Sequence, residues 1–205
     1  MSFTQEKNKI LSSAVKERLS PKRYTHTAAV ADAAKRLSSY CLPDSENEIE
    51  AAALLHDIAK ELSVEEQLDI IRKEGMQLLP ADTPPVFHSY AAPYIVARDF
   101  PELATPRILS AIAKHTVGDS CMSVFDEIIF LADYIENGRT YKDCVQTREF
   151  MLSSMVDGDI SANVNALHKA CIMSIDRTCK SLIEKGKTVN PKCLDARKAL
   201  LSKIS

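Results

Sequence analysis

The chain has 205 residues, of which 45% are hydrophobic and 5 are glycine, so it is long enough to bury one sizeable core. Lys and Arg total 26 against 28 for Asp and Glu, and the net charge of -2 gives no overall attraction to nucleic acid or to an acidic membrane surface. We therefore expect no nucleic-acid partner and no membrane partner, and any phosphate binding has to be local.

Helix-forming residues recur along the whole chain, and no sustained apolar/polar alternation typical of strands interrupts them. This pattern predicts an all-α fold. Cap residues precede several apolar-periodic runs, at Ser63, Thr105, Ser123 and Asn190, and glycine stops follow two of them, at Gly75 and Gly186. The predicted helices cover residues 4–19, 22–40, 45–60, 64–74, 86–99, 106–115, 123–136, 143–155, 159–185 and 191–203.

The N-terminal segment and the cysteines indicate the compartment. MSFTQEKNKI lacks the basic segment and apolar run of a secretory signal, and no stretch approaches the roughly 20 apolar residues that span a bilayer. The six cysteines show no CxxC pair and no disulfide-framework spacing. We expect a cytoplasmic protein whose cysteines are mostly reduced packing residues.

Histidines and acids stand in apolar runs at several separate places. The histidines are His26, His56, His88 and His115, and the acids are Asp57, which adjoins His56 in LLHDIAK, and Asp133 in IIFLADYIE. Taken singly, each histidine is better explained as a core residue bonded to a backbone carbonyl, and Asp133 as the partner of an arginine. An ionised carboxylate in a buried run needs a cation, however, and the joint pattern favours a metal site.

The last 60 residues lack this clustering, so the sequence predicts a single domain, residues 1–205. Its metal-site core would span about 22–140, and the helices of 141–205 would pack around it. His168 lies on a long helix with polar neighbours and is assigned a surface or structural role.

The order of these residues resembles that of the HD-domain metal-dependent phosphohydrolases: a histidine, an adjacent His-Asp pair, further histidines and a late aspartate. The resemblance implies an HD-domain helical bundle with a dinuclear metal centre. On the family pattern His26, His56 and Asp133 would complete one metal, His88 and His115 the other, and Asp57 would bridge the two. Mixed imidazole and carboxylate ligands suit iron, manganese, cobalt or zinc better than calcium or magnesium.

Longer segments resemble the bacterial YqeK group within that superfamily. They are RYTHT at 23–27, LLHDIAK at 54–60, FHSYAAPYIV at 87–96, KHTVG at 114–118, MSVFDEIIFLADYIENGR at 122–139 and KGKTVNP at 185–191. The resemblance implies an iron-containing enzyme that hydrolyses diadenosine tetraphosphate symmetrically to two ADP. Val117 stands where the group has threonine, and Asn137 where it has proline, so the expectations for the phosphate-facing loops are weaker than those for the metal ligands.

Two divalent metals can activate a shared water and polarise a phosphoryl oxygen, so Asp57 is predicted to be catalytic, and Lys60 with it as a cation on the departing phosphate. Lys60 would lie one helical turn beyond His56, on the same face. Arg23, Lys114 and Arg139 are further candidate phosphate contacts, although a surface ion pair explains each equally well. Candidate substrate-binding residues at the predicted end of a helix are Thr116 and Gly118, and candidate base-stacking residues are Tyr24 and Tyr134, with packing favoured for Tyr134.

Other functions remain open at this stage. A hydrolase of another nucleotide, such as a deoxynucleoside triphosphate or a guanosine alarmone, would use the same metal site, because the site fixes the reaction type better than the substrate. A non-catalytic nucleotide sensor and a di-iron oxygenase are further alternatives. The leading prediction is a dinucleoside polyphosphate hydrolase, and a homodimer is compatible with it.

Overall fold

In a computed structural model of the protein, residues 3–204 are described, and they form ten α-helices, two short 3-10 helices and no strand. The α-helices are α1 Gln5–Arg18, α2 Pro21–Cys41, α3 Glu46–Leu55, α4 Val64–Lys73, α5 Pro84–Asp99, α6 Pro106–Lys114, α7 Val124–Ile135, α8 Lys142–Ser153, α9 Ile160–Glu184 and α10 Pro191–Leu201. The 3-10 helices are Pro43–Ser45 and Pro101–Leu103. The all-α prediction is confirmed, and no helix among residues 3–204 is both long enough and apolar enough to cross a membrane.

Local signals mark the starts of α4, α6 and α10 and the end of α4. At the start of α4 the Ser63 hydroxyl accepts from the Glu66 amide at 3.2 Å, and the Glu66 carboxylate accepts from the Ser63 amide at 2.7 Å. The side chains of Thr105 and Asn190 cap α6 and α10 by accepting from a backbone amide of the first turn, each just before a proline. Gly75 follows α4 with a φ of 70°, a left-handed conformation that is accessible to glycine at little cost.

The prediction of one helix over residues 45–60 is wrong, because α3 ends at Leu55. His56 is its C-cap residue, and its Nδ1 donates to the Ala53 carbonyl at 2.6 Å. In a continuing helix that carbonyl would accept from the amide of residue 57. Tight turns follow instead, with the Lys60 amide donating to the Asp57 carbonyl at 2.9 Å. The His-Asp pair therefore lies at a helix end and not inside a helix.

The core is built around α2, which packs against α3, α7 and α9. Helix α6 lies between α5 and α7 and also contacts α3, so the helices that carry the histidines surround a common centre. Helices α8 and α9 cover the other side of α7, and α10 packs along α9. All six cysteines are free thiols, as the sequence predicts.

The sequence predicted either a surface or a structural role for His168, and its contacts favour the structural role. It is buried, and its Nδ1 lies 2.6 Å from Oε2 of Glu127, a fully buried carboxylate on α7. Lys203 reaches the other oxygen of Glu127 at 2.9 Å and the Met122 carbonyl at 2.7 Å. These contacts with the buried Glu127 fasten α9 and Lys203 to α7, the helix that carries Asp133.

We expect His168→Ala to lower the free energy of unfolding by about 2 kcal/mol, because it removes one of the two partners of a buried charge. Urea denaturation measures the change. Lys180→Ala is the control, since Lys180 is exposed and lies 3.9 Å from Glu184, a separation at which a surface ion pair contributes little. Equal stability of the two variants would contradict the structural role of His168.

Candidate metal centre

The four histidines predicted as ligands converge on the carboxylate of Asp57, whose side chain is only 4% exposed. Its Oδ1 lies 3.3 Å from Nε2 of His88 and 3.7 Å from Nε2 of His115. Its Oδ2 lies 3.5 Å from Nε2 of His56 and 3.7 Å from Nε2 of His26. The two oxygens of one carboxylate thus face two separate pairs of imidazoles.

Asp133 joins the cluster on the side of His26 and His56. Its Oδ1 lies 3.0 Å from Nε2 of His26, and donor atoms of His26, His56 and Asp133 all lie within 4.8 Å of one another. A second group at the same spacing comprises His56, Asp57 and His115. On the far side of Asp57, the Nε2 atoms of His88 and His115 are 3.1 Å apart.

Backbone contacts orient two of the imidazoles toward this centre. Nδ1 of His56 donates to the Ala53 carbonyl at 2.6 Å, and Nδ1 of His115 donates to the Ile112 carbonyl at 2.7 Å. Because Nδ1 carries the proton in each ring, Nε2 has a free lone pair. Histidine residues that bind a metal are commonly held in this way by an outer acceptor.

The buried Nε2 atom of His56 has no hydrogen-bond partner within residues 3–204, and Nε2 of His26 lies beside Asp133, another member of the cluster, at 3.0 Å. A buried polar atom without a partner costs free energy, so the Nε2 atom of His56 calls for an explanation. A metal ion would be its missing partner, and the set of imidazole and carboxylate donors fits a transition metal. The buried cluster can therefore hold a divalent metal.

The electrostatics at His56, His88 and Asp57 favour the protonation states that a metal requires. Burial lowers the pKa of His56 to about 4 and, together with the charges of His115 and Lys60, lowers the pKa of His88 to about 2. Burial by itself would raise the pKa of Asp57, but the neighbouring His56 and His115 outweigh it and hold the pKa well below its usual range. Neutral imidazoles and an ionised carboxylate at neutral pH are the forms that bind metals.

Glu136 belongs to the site, although the sequence analysis did not select it. It is buried directly after α7, and its Oε1 lies 3.3 Å from Nδ1 of His26. Its other oxygen accepts from the amide of Gly138. Glu136 thus gives His26 the outer acceptor that backbone carbonyls give to His56 and His115. Its position three residues after Asp133 was the only available signal, since residues at that spacing share a helix face.

We expect Glu136→Gln to weaken metal binding about tenfold or more while the fold persists, because the neutral amide is a poorer acceptor for His26. Metal titration of the purified protein, with circular dichroism as the check on folding, measures the effect. Glu184→Gln, on the exposed end of α9, is the matched control and should bind metal as the wild type does. Unchanged affinity in Glu136→Gln would mean that His26 is oriented without it.

Three of the predicted phosphate contacts border the cluster. Arg23 places Nη1 2.8 Å from Oδ2 of Asp57, and Arg139 places Nη2 2.9 Å from Oδ1 of Asp133. Lys60 places its ammonium 3.2 Å from both ring nitrogens of His88. Contrary to the prediction, Lys60 does not share a helix face with His56, because residues 56–61 form turns, but its side chain still reaches the cluster.

The other predicted substrate-binding residues divide into two groups. Thr116 lies at the cluster, with its hydroxyl 3.2 Å from Nε2 of His88. Lys114 is directed away from it, toward the Cys121 carbonyl at 3.1 Å and Asp126 at 3.3 Å, and so supports the start of α7. Gly118 is buried with a φ of 73°, and a Cβ there would lie 3.0 Å from that of Ala196 on α10. Close packing, and not an open loop, accounts for this glycine.

The two candidate base-stacking residues, Tyr24 and Tyr134, also lie in different places. Tyr24 faces α1, where its hydroxyl lies 2.7 Å from that of Ser12, whereas Tyr134 lines a cavity beside Asp133. Val117, one of the two departures from the YqeK pattern, is buried in the core. Asn137, the other, is exposed directly after the end of α7.

A helical bundle that gathers a His-Asp pair, three further histidines and a late aspartate defines an HD domain, and the family model of the HD domain matches residues 23–138. Two proteins named symmetrical bis(5'-nucleosyl)-tetraphosphatase, from Bacillus subtilis and Staphylococcus aureus, are 33% and 31% identical to this chain. The matches cover 86% and 88% of this chain and 88% and 87% of those proteins.

A solved structure from Clostridium acetobutylicum, described as a predicted HD superfamily hydrolase involved in NAD metabolism, is 32% identical to this chain. It superposes with a TM-score of 0.80 over 95% of this chain and 97% of its own. The chain belongs to the HD-domain family and, within it, to the YqeK-type group of symmetrical bis(5'-nucleosyl)-tetraphosphatases. The resemblance seen in the sequence is confirmed.

Proposed function

We propose that this protein is a metal-dependent phosphohydrolase that cleaves diadenosine tetraphosphate symmetrically into two ADP. The names of its relatives support the substrate, since three of them at 31–33% identity are symmetrical bis(5'-nucleosyl)-tetraphosphatases. The buried cluster supports the dependence on metal. The deoxynucleoside triphosphate and guanosine alarmone alternatives have no comparable support.

We propose a dinuclear centre because the two oxygens of the Asp57 carboxylate face two different pairs of histidines. One oxygen faces His88 and His115, and the other faces His26 and His56. A carboxylate so placed can bridge two ions, with Asp133 completing the set of His26 and His56. We propose iron as the native metal, because its ions accept mixed imidazole and carboxylate ligands, and manganese, cobalt and zinc as ions that can replace it.

Two bound divalent ions would supply an activated water and polarise the phosphoryl oxygen that it attacks. The residues of the chain then have separate tasks. Arg23 and Arg139 hold the carboxylates of Asp57 and Asp133 in place from the exposed side of the cluster. Lys60 is half-buried beside His88 and is placed to offset the charge that develops on the departing phosphate.

The retained ligands also weigh against a non-catalytic nucleotide sensor. Every histidine and aspartate of the expected set is present, and the structure brings all of them to one centre. A protein that only binds a nucleotide has no need of a bridging carboxylate between two imidazole pairs. The cluster alone does not distinguish hydrolysis from oxygenase chemistry at a di-iron centre, and the names of the relatives favour hydrolysis.

The products of diadenosine tetraphosphate test the position of cleavage. We expect ADP as the only initial nucleotide product, because water would enter at one of the two central phosphorus atoms and release an intact nucleoside diphosphate. In water labelled with heavy oxygen, the label should appear on the terminal phosphate of one of the two ADP molecules. Chromatography and mass spectrometry give both readouts, and ATP together with AMP as initial products would show the proposal to be wrong.

The proposed roles of Asp57 and Lys60 predict different losses. Asp57→Ala should lower bound metal and abolish hydrolysis, since both ions would lose a ligand. Lys60→Ala should retain both metals and lower turnover by about 10-fold or more, because the transition state would lose one stabilising contact with a positive charge. Metal analysis beside steady-state kinetics separates the two, with Lys73→Ala on the exposed end of α4 as the control. Full metal content in Asp57→Ala would contradict the bridging assignment.

A further inference from the structure

A cavity of about 390 Å³ opens beside the metal cluster, between the end of α7, the start of α8 and the last turns of α9. Its volume falls in the range of small-molecule sites. The residues that line it are Asp133, Tyr134, Arg139, Tyr141, Asp143, Cys144, Arg177, Thr178, Ser181, Leu182 and Lys185. Most of them belong to the C-terminal helices, for which the sequence predicted packing alone.

The cavity lies on the side from which a substrate reaches the metals. His56, on the inner side of the cluster, is fully buried, whereas the side chains of Asp133 and Arg139 are 23% and 36% exposed. Both of those residues also line the cavity. A phosphate chain that reaches the cluster past Arg139 therefore has its next group at the mouth of this cavity.

The lining includes aromatic rings and hydroxyl groups. Tyr141, at the start of α8, lines the cavity and is 73% exposed, so a purine can stack on its ring. Tyr134 contributes a second aromatic side chain beside Asp133. Thr178 and Ser181 on α9 also line the cavity, and their hydroxyl groups are of the kind that can bond the hydroxyls of a ribose.

The cations of the cavity are less available to a phosphate group. Arg177 is held between α8 and α9, where its guanidinium donates to the Asp143 carbonyl, to the Thr147 hydroxyl and, at 3.0 Å, to the Gln146 amide oxygen. Lys185 donates to the Ser181 hydroxyl at 2.8 Å. Asp143 also lines the cavity, and its negative charge would repel a second phosphate.

We propose that this cavity is the subsite for one purine nucleoside of the substrate, with the ring of Tyr141 stacking on the base and the hydroxyls of Thr178 and Ser181 meeting the ribose. The inference rests on the proposed function for the identity of the whole substrate. It assigns to α8 and α9 the recognition of the nucleoside, while the cluster on α2, α3, α5, α6 and α7 acts on the phosphates.

The test compares ADP with inorganic pyrophosphate, which shares only the phosphates. Calorimetric titration of the metal-containing wild-type protein should show tighter binding of ADP. Tyr141→Ala should weaken ADP about tenfold and leave pyrophosphate unchanged, because only base stacking is lost. Tyr141→Phe keeps an aromatic ring and should retain the wild-type affinity for ADP. Tyr94→Ala, at a partly exposed tyrosine on α5, is the control and should change neither ligand.

A second variant fills the cavity without touching the cluster. Ser181→Phe should also weaken ADP about tenfold or more and keep the affinity for pyrophosphate and the metal content, because the phenyl ring takes the place of the ribose. The proposal is overturned if Tyr141→Ala and Ser181→Phe bind ADP as the wild type does, or if the wild type binds pyrophosphate as tightly as ADP.

Kinetics keep this proposal distinct from the proposed function. Tyr141→Ala should raise KM for diadenosine tetraphosphate about tenfold with kcat nearly unchanged, as expected when binding common to ground state and transition state is removed. If the wild type releases only ADP and both Tyr141→Ala and Ser181→Phe keep the wild-type KM, the proposed function is supported and the proposed subsite is wrong. A wild type that cleaves no dinucleoside tetraphosphate would refute the function, and the contrast between ADP and pyrophosphate would still decide the subsite.

Discussion

The buried carboxylate of Asp57 is the constraint on which the rest of the structure depends. A charge that is 4% exposed among apolar helices is costly unless cations or hydrogen bonds compensate it. Arg23 compensates part of it from the exposed side, at 2.8 Å. On its other sides Asp57 faces imidazoles that can bind a divalent metal, and such an ion would supply the remaining positive charge. Five helices therefore have to meet at one point, and that requirement explains why α2 packs centrally against α3 and α7.

The ends of α3 and α6 orient a histidine side chain by using a backbone carbonyl that would be occupied inside a helix. A helix that ends at a histidine leaves a carbonyl three residues earlier without its usual partner, and the Nδ1 of that histidine takes it. Both α3 and α6 end in this way, at His56 and His115. One hydrogen bond thus terminates the helix, fixes the tautomer and directs Nε2 toward the centre. His26 lies inside α2, and Glu136 orients its ring from the residue that follows α7.

The two regions of the chain divide the chemistry between them. The cluster determines the type of reaction, since imidazoles and carboxylates that hold a divalent metal are suited to phosphoryl transfer to water. Such a cluster places few limits on what lies beyond the phosphates, and specificity has to come from surfaces farther away. The cavity at α8 and α9, which Asp133 and Arg139 also line, is such a surface. The contacts of His168 and Lys203 with the buried Glu127 fasten α9 to α7 and so hold that wall in a fixed position relative to the cluster.

The sequence by itself determined the helices and the members of the cluster, because both leave local signals. Ser63 with Glu66 marks the start of α4, and acids in apolar runs at Asp57 and Asp133 are improbable without a cation. Only the tertiary structure decided the end of α3, the outer contact of Glu136 with His26 and the turning of Lys114 toward α7. Each depends on which partner a polar atom finds across the fold. A helix propensity or a residue spacing holds no information about that partner, since it belongs to a distant part of the chain.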